Sequence, residues 1–369
     1  MDFALTGEQR MLQREVRGVL DAHCSPGAVR GWLRDGVARP PDLWRRIADL
    51  GWLGFALPPE HGGLGAGFVD LVLLHEVCGG ALMPTLFRTS TWATLTLLAS
   101  TDAADVGRYL PDIARGAQTA TLALSEARAI HDMDRIETAV TERAGGMVLS
   151  GTKCFVENGA HADWLVVSAR RALDGVAPAV LVVVPRAAPG VHVVPAPSFA
   201  GDPQADVVFE DVVVESRAVL DAAGLPAAMD RMTTLLCADM VGGFGRVVEL
   251  TIAYVKERRQ FGRAIGSFQA VQHVLADMAA ALEGARWATY QAAWRLERGY
   301  PAAKEIAVAQ AWTAPAYKAA TLTAHQLHGG TGFVTEYDLY LYSNRAKAYE
   351  SRLGGVDRHL ERIARELDL

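Results

Sequence analysis

The chain has 369 residues, 50% of them hydrophobic and 21% charged, enough to bury a large core in two or three domains. Its formal net charge of −6 leaves no basic footprint for nucleic acid. Four scattered cysteines (Cys24, Cys78, Cys154, Cys237) show neither zinc spacing nor a disulfide framework, no leader is read at the start, and no apolar run reaches the ~18 residues of a membrane span, so a soluble, cytoplasmic protein with no metal site is expected.

In chain order, residues 6 to about 115 read as helices. Thr6 with Gln9 forms a capping-box start, and Met11, Leu12, Val16, Val19 and Leu20 lie near one helical face. A second helical pattern covers 42–50, and the Pro- and Gly-rich run 58–67 ends it. From about 119 to 214 the chain reads as short strands, among them 164–167, 179–184 and 207–209, divided by Gly, Pro and Asp turns. Helical spacing returns over 228–259, 268–298 and 302–328, and the Ala-rich surface of these stretches suits a bundle. The expected fold is mostly α with a central β domain: an N-terminal helical domain (1–116), a small β-barrel or sandwich domain (117–222) and a C-terminal four-helix bundle (223–369).

Two motifs in the last third carry the chemistry. One is Arg258-Arg259-Gln260-Phe261-Gly262, and the other is Gln326-Leu327-His328-Gly329-Gly330-Thr331-Gly332-Phe333. An arginine offers a diphosphate rigid multidentate donors. Glycines lacking Cβ let backbone amides approach a phosphate closely. His325 and His328 share a helical spacing, but no third ligand with metal spacing accompanies them.

Together with Leu50-Gly51-Trp52-Leu53-Gly54-Phe55-Ala56-Leu57-Pro58 and Gly62-Gly63-Leu64-Gly65 near the start, these motifs resemble those of the acyl-CoA dehydrogenases, in the same order around a β domain. The resemblance implies an FAD-dependent oxidoreductase of lipid metabolism acting on an acyl-CoA thioester. Arg258 then matches the family's pyrophosphate arginine, Phe261 and Gln269 match positions beside the cofactor, and Gln326, Gly329 and Gly330 form the glycine motif that reaches a flavin held largely by a neighbouring subunit. Arg231 matches a position near the CoA tail.

The β domain departs from that pattern. Where the family shows a Thr/Ser-Glu-Pro-Gly-Ala-Gly-Ser segment, the chain has Leu124-Ser125-Glu126-Ala127-Arg128-Ala129-Ile130-His131, and only Ser125-Glu126 survives. The family's Trp-Ile-Thr/Ser beside the flavin ring corresponds to Phe155-Val156-Glu157, which brings a carboxylate toward an electron-rich ring unless the side chain turns away. The catalytic glutamate is also missing, since its two family locations match Leu353 and Met232. Glu350 and the buried-helix residue Asp239 are the carboxylates nearby that stand as alternative bases, Glu350 first, although each also reads as an ion-paired or partner-satisfied residue.

Three readings follow. The first is a subunit of a heteromeric acyl-CoA dehydrogenase, of the actinobacterial type acting on steroid side chains and assembling as a heterotetramer, in which a second chain supplies the base. The others are a homo-oligomeric flavoenzyme with a relocated base, and a repurposed fold without flavin that acts on a thioester or serves as a binding subunit.

Overall fold

A computed structural model of the chain describes residues 4–100, 103–128, 135–143, 146–171 and 178–369. Among the described residues α-helices come first: α1 (Gly7–His23), α2 (Pro26–Asp35), α3 (Pro41–Asp49), α4 (Phe68–Gly80), α5 (Thr85–Leu98), α6 (Ala103–Val106) and α7 (Leu110–Ala114). Strands follow, among the described residues: β1 (Ala120–Ala123), β2 (Ala139–Arg143), β3 (Gly146–Glu157), β4 (Trp164–Arg171), β5 (Ala179–Pro185), β6 (Val191–Ala196), β7 (Gln204–Val214) and β8 (Val219–Asp221). After them come α8 (Leu225–Glu257), the short strands β9 (Arg259–Gln260) and β10 (Arg263–Ala264), α9 (Gln269–Glu297), α10 (Ala303–His328), α11 (Leu339–Glu350) and α12 (Gly355–Glu366). Helices, a β domain and a bundle of long helices therefore appear in the expected order.

Contacts divide the chain into two compact units that cut across this linear order. One combines Met1–Val29, Gly67–Met83 and Asp230–Leu369, and the other combines Arg30–Ala66 and Pro84–Met229. In the first, α1 begins with the capping box read from the sequence: the Gln9 amide N–H donates to Thr6 Oγ1 at 3.1 Å, and the Thr6 N–H to Gln9 Oε1 at 3.0 Å. Helix α4 is buried along almost its whole length. It lies against α8 so closely that a Cβ at Gly242 would stand 1.7 Å from the Glu76 carbonyl oxygen, which is why glycine occupies the contact.

The second unit is built on an eight-stranded sheet in the order β6-β7-β3-β2-β4-β5-β8, with β1 also paired to β4. Alternation along β4 and β5 sends Leu165, Val167, Val180 and Val182 to one face, and Val166, Leu181 and Val183 to the other. The first face closes on itself, because Val191 and Val193 of β6 and Val219 of β8, from opposite ends of the order, pack on one cluster. The second face packs against Ala93 and Leu97 of α5 and Leu110 and Ile113 of α7. Strand β3 carries irregularities at Leu149/Gly151 and at Lys153/Val156. The second shifts the alternation, so that Phe155 is exposed while Val156 and Glu157 are both buried. No helix among the described residues is long and apolar enough to cross a membrane.

Candidate functional site

In the first unit, α8 ends at Arg258, whose backbone N–H still donates to the Tyr254 carbonyl at 2.9 Å. The next residues form a β9–β10 hairpin with Phe261 and Gly262 at its tip, both at positive φ (53° and 82°). Two successive left-handed residues are what a tight two-residue hairpin needs, and holding Phe261 there costs about 1–2 kcal/mol. The hairpin leaves Phe261 92% exposed. Arg258 and Gln269, the first residue of α9, are also exposed.

At the far end of α10, Gln326, Gly329 and Gly330 are exposed, and Gly329 adopts φ 57°, ψ −139°. This conformation is essentially confined to glycine. Nothing lies within 4 Å of a Cβ placed at Gly329 or Gly330, so open space fronts this backbone. Tyr254 ties the two motifs together. Its hydroxyl donates to the His328 carbonyl at 3.1 Å and lies 3.4 Å from the Thr331 hydroxyl, and its ring stacks on His328 with centroids 4.3 Å apart. The exposed Arg258 guanidinium and the backbone amides at Gly329 and Gly330, without Cβ cover, are donors of the chemistry that a diphosphate takes.

The two histidines of this motif serve the protein's own structure. His328 Nδ1 donates to the Ala324 carbonyl at 2.7 Å, leaving Nε2 to accept from the Tyr337 hydroxyl at 3.0 Å. His325 Nε2 lies 2.6 Å from Ser343 Oγ. Burial lowers both pKa values from 6.5.

The positions where a base could stand lie in the same unit. Leu353 occupies a left-handed turn at φ 53°, ψ 31°, followed by Gly354 and Gly355, also at positive φ, and its carbonyl accepts from His359 Nε2 at 3.2 Å. Met232 is completely buried. Glu350 is held by Lys318 Nζ and Lys347 Nζ, each 2.6 Å away, and these hydrogen bonds keep its carboxyl below the ordinary range. A general base needs the opposite environment, so the geometry favours an ion-paired carboxylate over a catalytic one. Asp239 Oδ1 lies 3.0 Å from Nδ1 of the buried His75. Arg231 stacks on the Phe68 ring, its guanidinium carbon 4.9 Å from the centroid, and burial lowers its pKa.

In the second unit, the surviving Ser125-Glu126 pair is pinned to β3. The Cys154 N–H donates to the Ser125 carbonyl at 2.8 Å. Fully buried Lys153 donates to Glu126 Oε1 at 2.7 Å, Ser168 Oγ at 2.9 Å and the Leu124 carbonyl at 3.3 Å. Burial alone would raise the Glu126 carboxyl, but hydrogen bonds from Lys153, Thr138 and the Glu137 backbone hold it down, while burial also lowers the Lys153 pKa. Ala129, Ile130 and His131 lie outside the described residues. Glu157 turns inward and pairs with buried Arg88 of α5, whose guanidinium carbon stands 5.0 Å from the Trp92 ring centroid. The carboxylate that the sequence placed toward a flavin ring is thus compensated within the protein.

Sequence reasoning did not identify Tyr254, Tyr337, Lys153, Arg88 or Lys318. Their roles come from partners distant in the chain, and of these residues only Tyr254 lies close to a sequence motif, four residues before Arg258.

A helical segment, a β domain and a bundle of long helices, in that order, define the class: the acyl-CoA dehydrogenase architecture. Acyl-CoA dehydrogenase domains match in order, the N-terminal domain over residues 6–117, the middle domain over 121–212 and the C-terminal domain over 223–367. The chain belongs to the acyl-CoA dehydrogenase family. The acryloyl-CoA reductase (NADH) of Anaerotignum propionicum is 29% identical over 387 residues, covering 100% of this chain and 96% of that protein. Among solved structures, a Tcur3481–Tcur3483 steroid ACAD variant is 30% identical with a TM-score of 0.88, covering 98% of both chains. The ChsE4–ChsE5 complex from Mycobacterium tuberculosis is 28% identical with a TM-score of 0.90, covering 100% of this chain and 99% of that one.

Proposed function

We propose that this chain is one subunit of a hetero-oligomeric, FAD-dependent acyl-CoA dehydrogenase that introduces an α,β double bond into an acyl-CoA thioester, the base being supplied by a second acyl-CoA dehydrogenase chain. The observation that carries the proposal is the state of the four base positions. Leu353 and Met232 are apolar, Glu350 is bound by two lysines, and Asp239 is bound to His75. Solved relatives of this fold include FAD complexes, and FAD is the cofactor.

FAD, when bound, would supply the two-electron acceptor that desaturation of a thioester requires, and the proton acceptor would be a carboxylate of the second chain. In this reading Arg258 and the backbone amides at Gly329 and Gly330 hold the diphosphate, Gln269 and Gln326 supply further polar anchors, and exposed Phe261 packs against the cofactor across the subunit interface. Ser125 belongs to the chain's own, reduced ring cradle. The similarity to a steroid enzyme named for two chains and to a two-component complex supports both a partner and a bulky, steroid-like acyl group. The arrangement gives no role to nucleic acid or membrane.

The test is to purify the chain alone and together with any acyl-CoA dehydrogenase chain encoded beside it, then assay acyl-CoA desaturation with an artificial electron acceptor. Activity confined to the pair supports the proposal. Full activity of the isolated chain sinks it.

A further inference from the structure

Tyr254 joins the end of α8 to the glycine turn through two hydroxyl contacts and a stacked ring. Tyr254 lies one helical turn before Arg258, whose N–H it receives at its own carbonyl. Its hydroxyl binds both the His328 carbonyl, immediately before Gly329, and Thr331 Oγ1, immediately after Gly330. The ring face covers His328, at 26° between planes, and the Tyr337 hydroxyl holds His328 Nε2 at 3.0 Å. His328 is 2% exposed, although the two glycines that follow it are open to solvent. Gly329 sits in a conformation that the local sequence does not enforce, because glycine also populates many others at little cost. The clamp supplies the missing constraint.

Resting on the FAD reading above, we infer that Tyr254 is a positioning residue that sets the spacing of Arg258 against the Gly329–Gly330 backbone, so that both reach one diphosphate. The side chain does this without touching the cofactor. It fixes two donor groups that would otherwise move independently, and ordering donors before binding removes a cost that binding would otherwise bear. The effect belongs to the diphosphate and adenosine end of the ligand, and this separates it from general stabilisation of the bundle.

The experiment measures FAD and ADP dissociation constants for the two-chain complex containing wild type, Tyr254→Phe or Tyr254→Leu. Tyr254→Phe keeps the stacked ring and removes both hydroxyl contacts, and it is expected to weaken FAD and ADP by the same factor, about tenfold, with little change in thermal midpoint. Tyr254→Leu is expected to weaken both further, and Phe then stands as a partial rescue of Leu. If Tyr254→Phe lowers the thermal midpoint and leaves both constants unchanged, or weakens FAD while sparing ADP, the inference is wrong and the proposed function stands. A wild-type complex that binds neither FAD nor ADP overturns the proposed function and the inference with it.

Discussion

Arg88 and Glu157 form an ion pair in which the two residues are only 3% and 6% exposed, joining α5 to the end of β3. Asn158, the next residue, donates to Thr85 Oγ1 at 3.1 Å and Thr89 Oγ1 at 3.3 Å on the same helix. Glu157 therefore works as a structural anchor facing inward. Removing one member of a buried pair leaves a desolvated charge behind, a change worth about 3–5 kcal/mol. Arg88→Met is expected to lower stability by that amount, and Arg88→Met with Glu157→Gln by clearly less than the sum of the single changes. Denaturant unfolding of the four proteins measures the coupling, and strict additivity would show that the pair does not act as a unit.

A second buried pair holds the Ser125 segment. Lys153→Met removes three hydrogen bonds and leaves the Glu126 carboxylate beside Thr138 and the Glu137 backbone. The expected cost is again about 3–5 kcal/mol. Hydrogen exchange at the Glu137, Thr138 and Cys154 amides should rise with it, because these amides bond to Glu126 or to the Ser125 carbonyl. Unchanged protection at all three would mean that Lys153 does not organise the segment.

Much of this architecture was legible in the sequence, and what was missed has a common cause. The long helices read over 228–259, 268–298 and 302–328 appear as Leu225–Glu257, Gln269–Glu297 and Ala303–His328, because apolar spacing over many turns is a strong local signal. The hairpin that presents Phe261 is only two residues deep on each side and carries no such period. The inward turn of Glu157 depends on a β3 irregularity, and a one-residue change of register reverses which face a side chain takes. Lys318 lies 32 residues from Glu350, so its pairing with that carboxylate follows from the packing of α10 and α11. The division of the N-terminal helices between the two units is likewise a matter of packing, invisible in their periodicity.

Stability should fall on mild acidification through buried imidazoles. Burial lowers the pKa of His359 from 6.5 to about 4, and its Nδ1 is buried without a hydrogen-bond partner. Between those values the unfolded chain binds a proton that the folded chain refuses, so this contribution is fully present above pH 6.5 and is lost as pH falls toward 4. The full loss is about 3 kcal/mol. His328 is shifted in the same direction by burial. Thermal midpoints measured across this range should decline for the wild type and decline less for His359→Gln. Parallel curves would rule out His359 as a source.

Glu350 provides a direct check on where the base resides. A carboxylate held by Lys318 and Lys347 should not be the proton acceptor, so Glu350→Gln is expected to leave turnover of the two-chain complex within about twofold. Loss of an authentic general base costs about 10²–10⁴-fold. A loss of that size with flavin retained would establish a relocated base in this chain.

The central claim is that this chain contributes one half of a flavin site completed by another chain, and flavin content per polypeptide tests it most directly. The visible flavin absorbance of the chain purified alone is to be compared with that of its complex with a second acyl-CoA dehydrogenase chain, using wild type and Arg258→Ala. The account predicts little flavin on the isolated chain, a yellow complex, and a marked loss of flavin from the complex on Arg258→Ala. One flavin per isolated chain, or a complex whose flavin content is unchanged by Arg258→Ala, would contradict it.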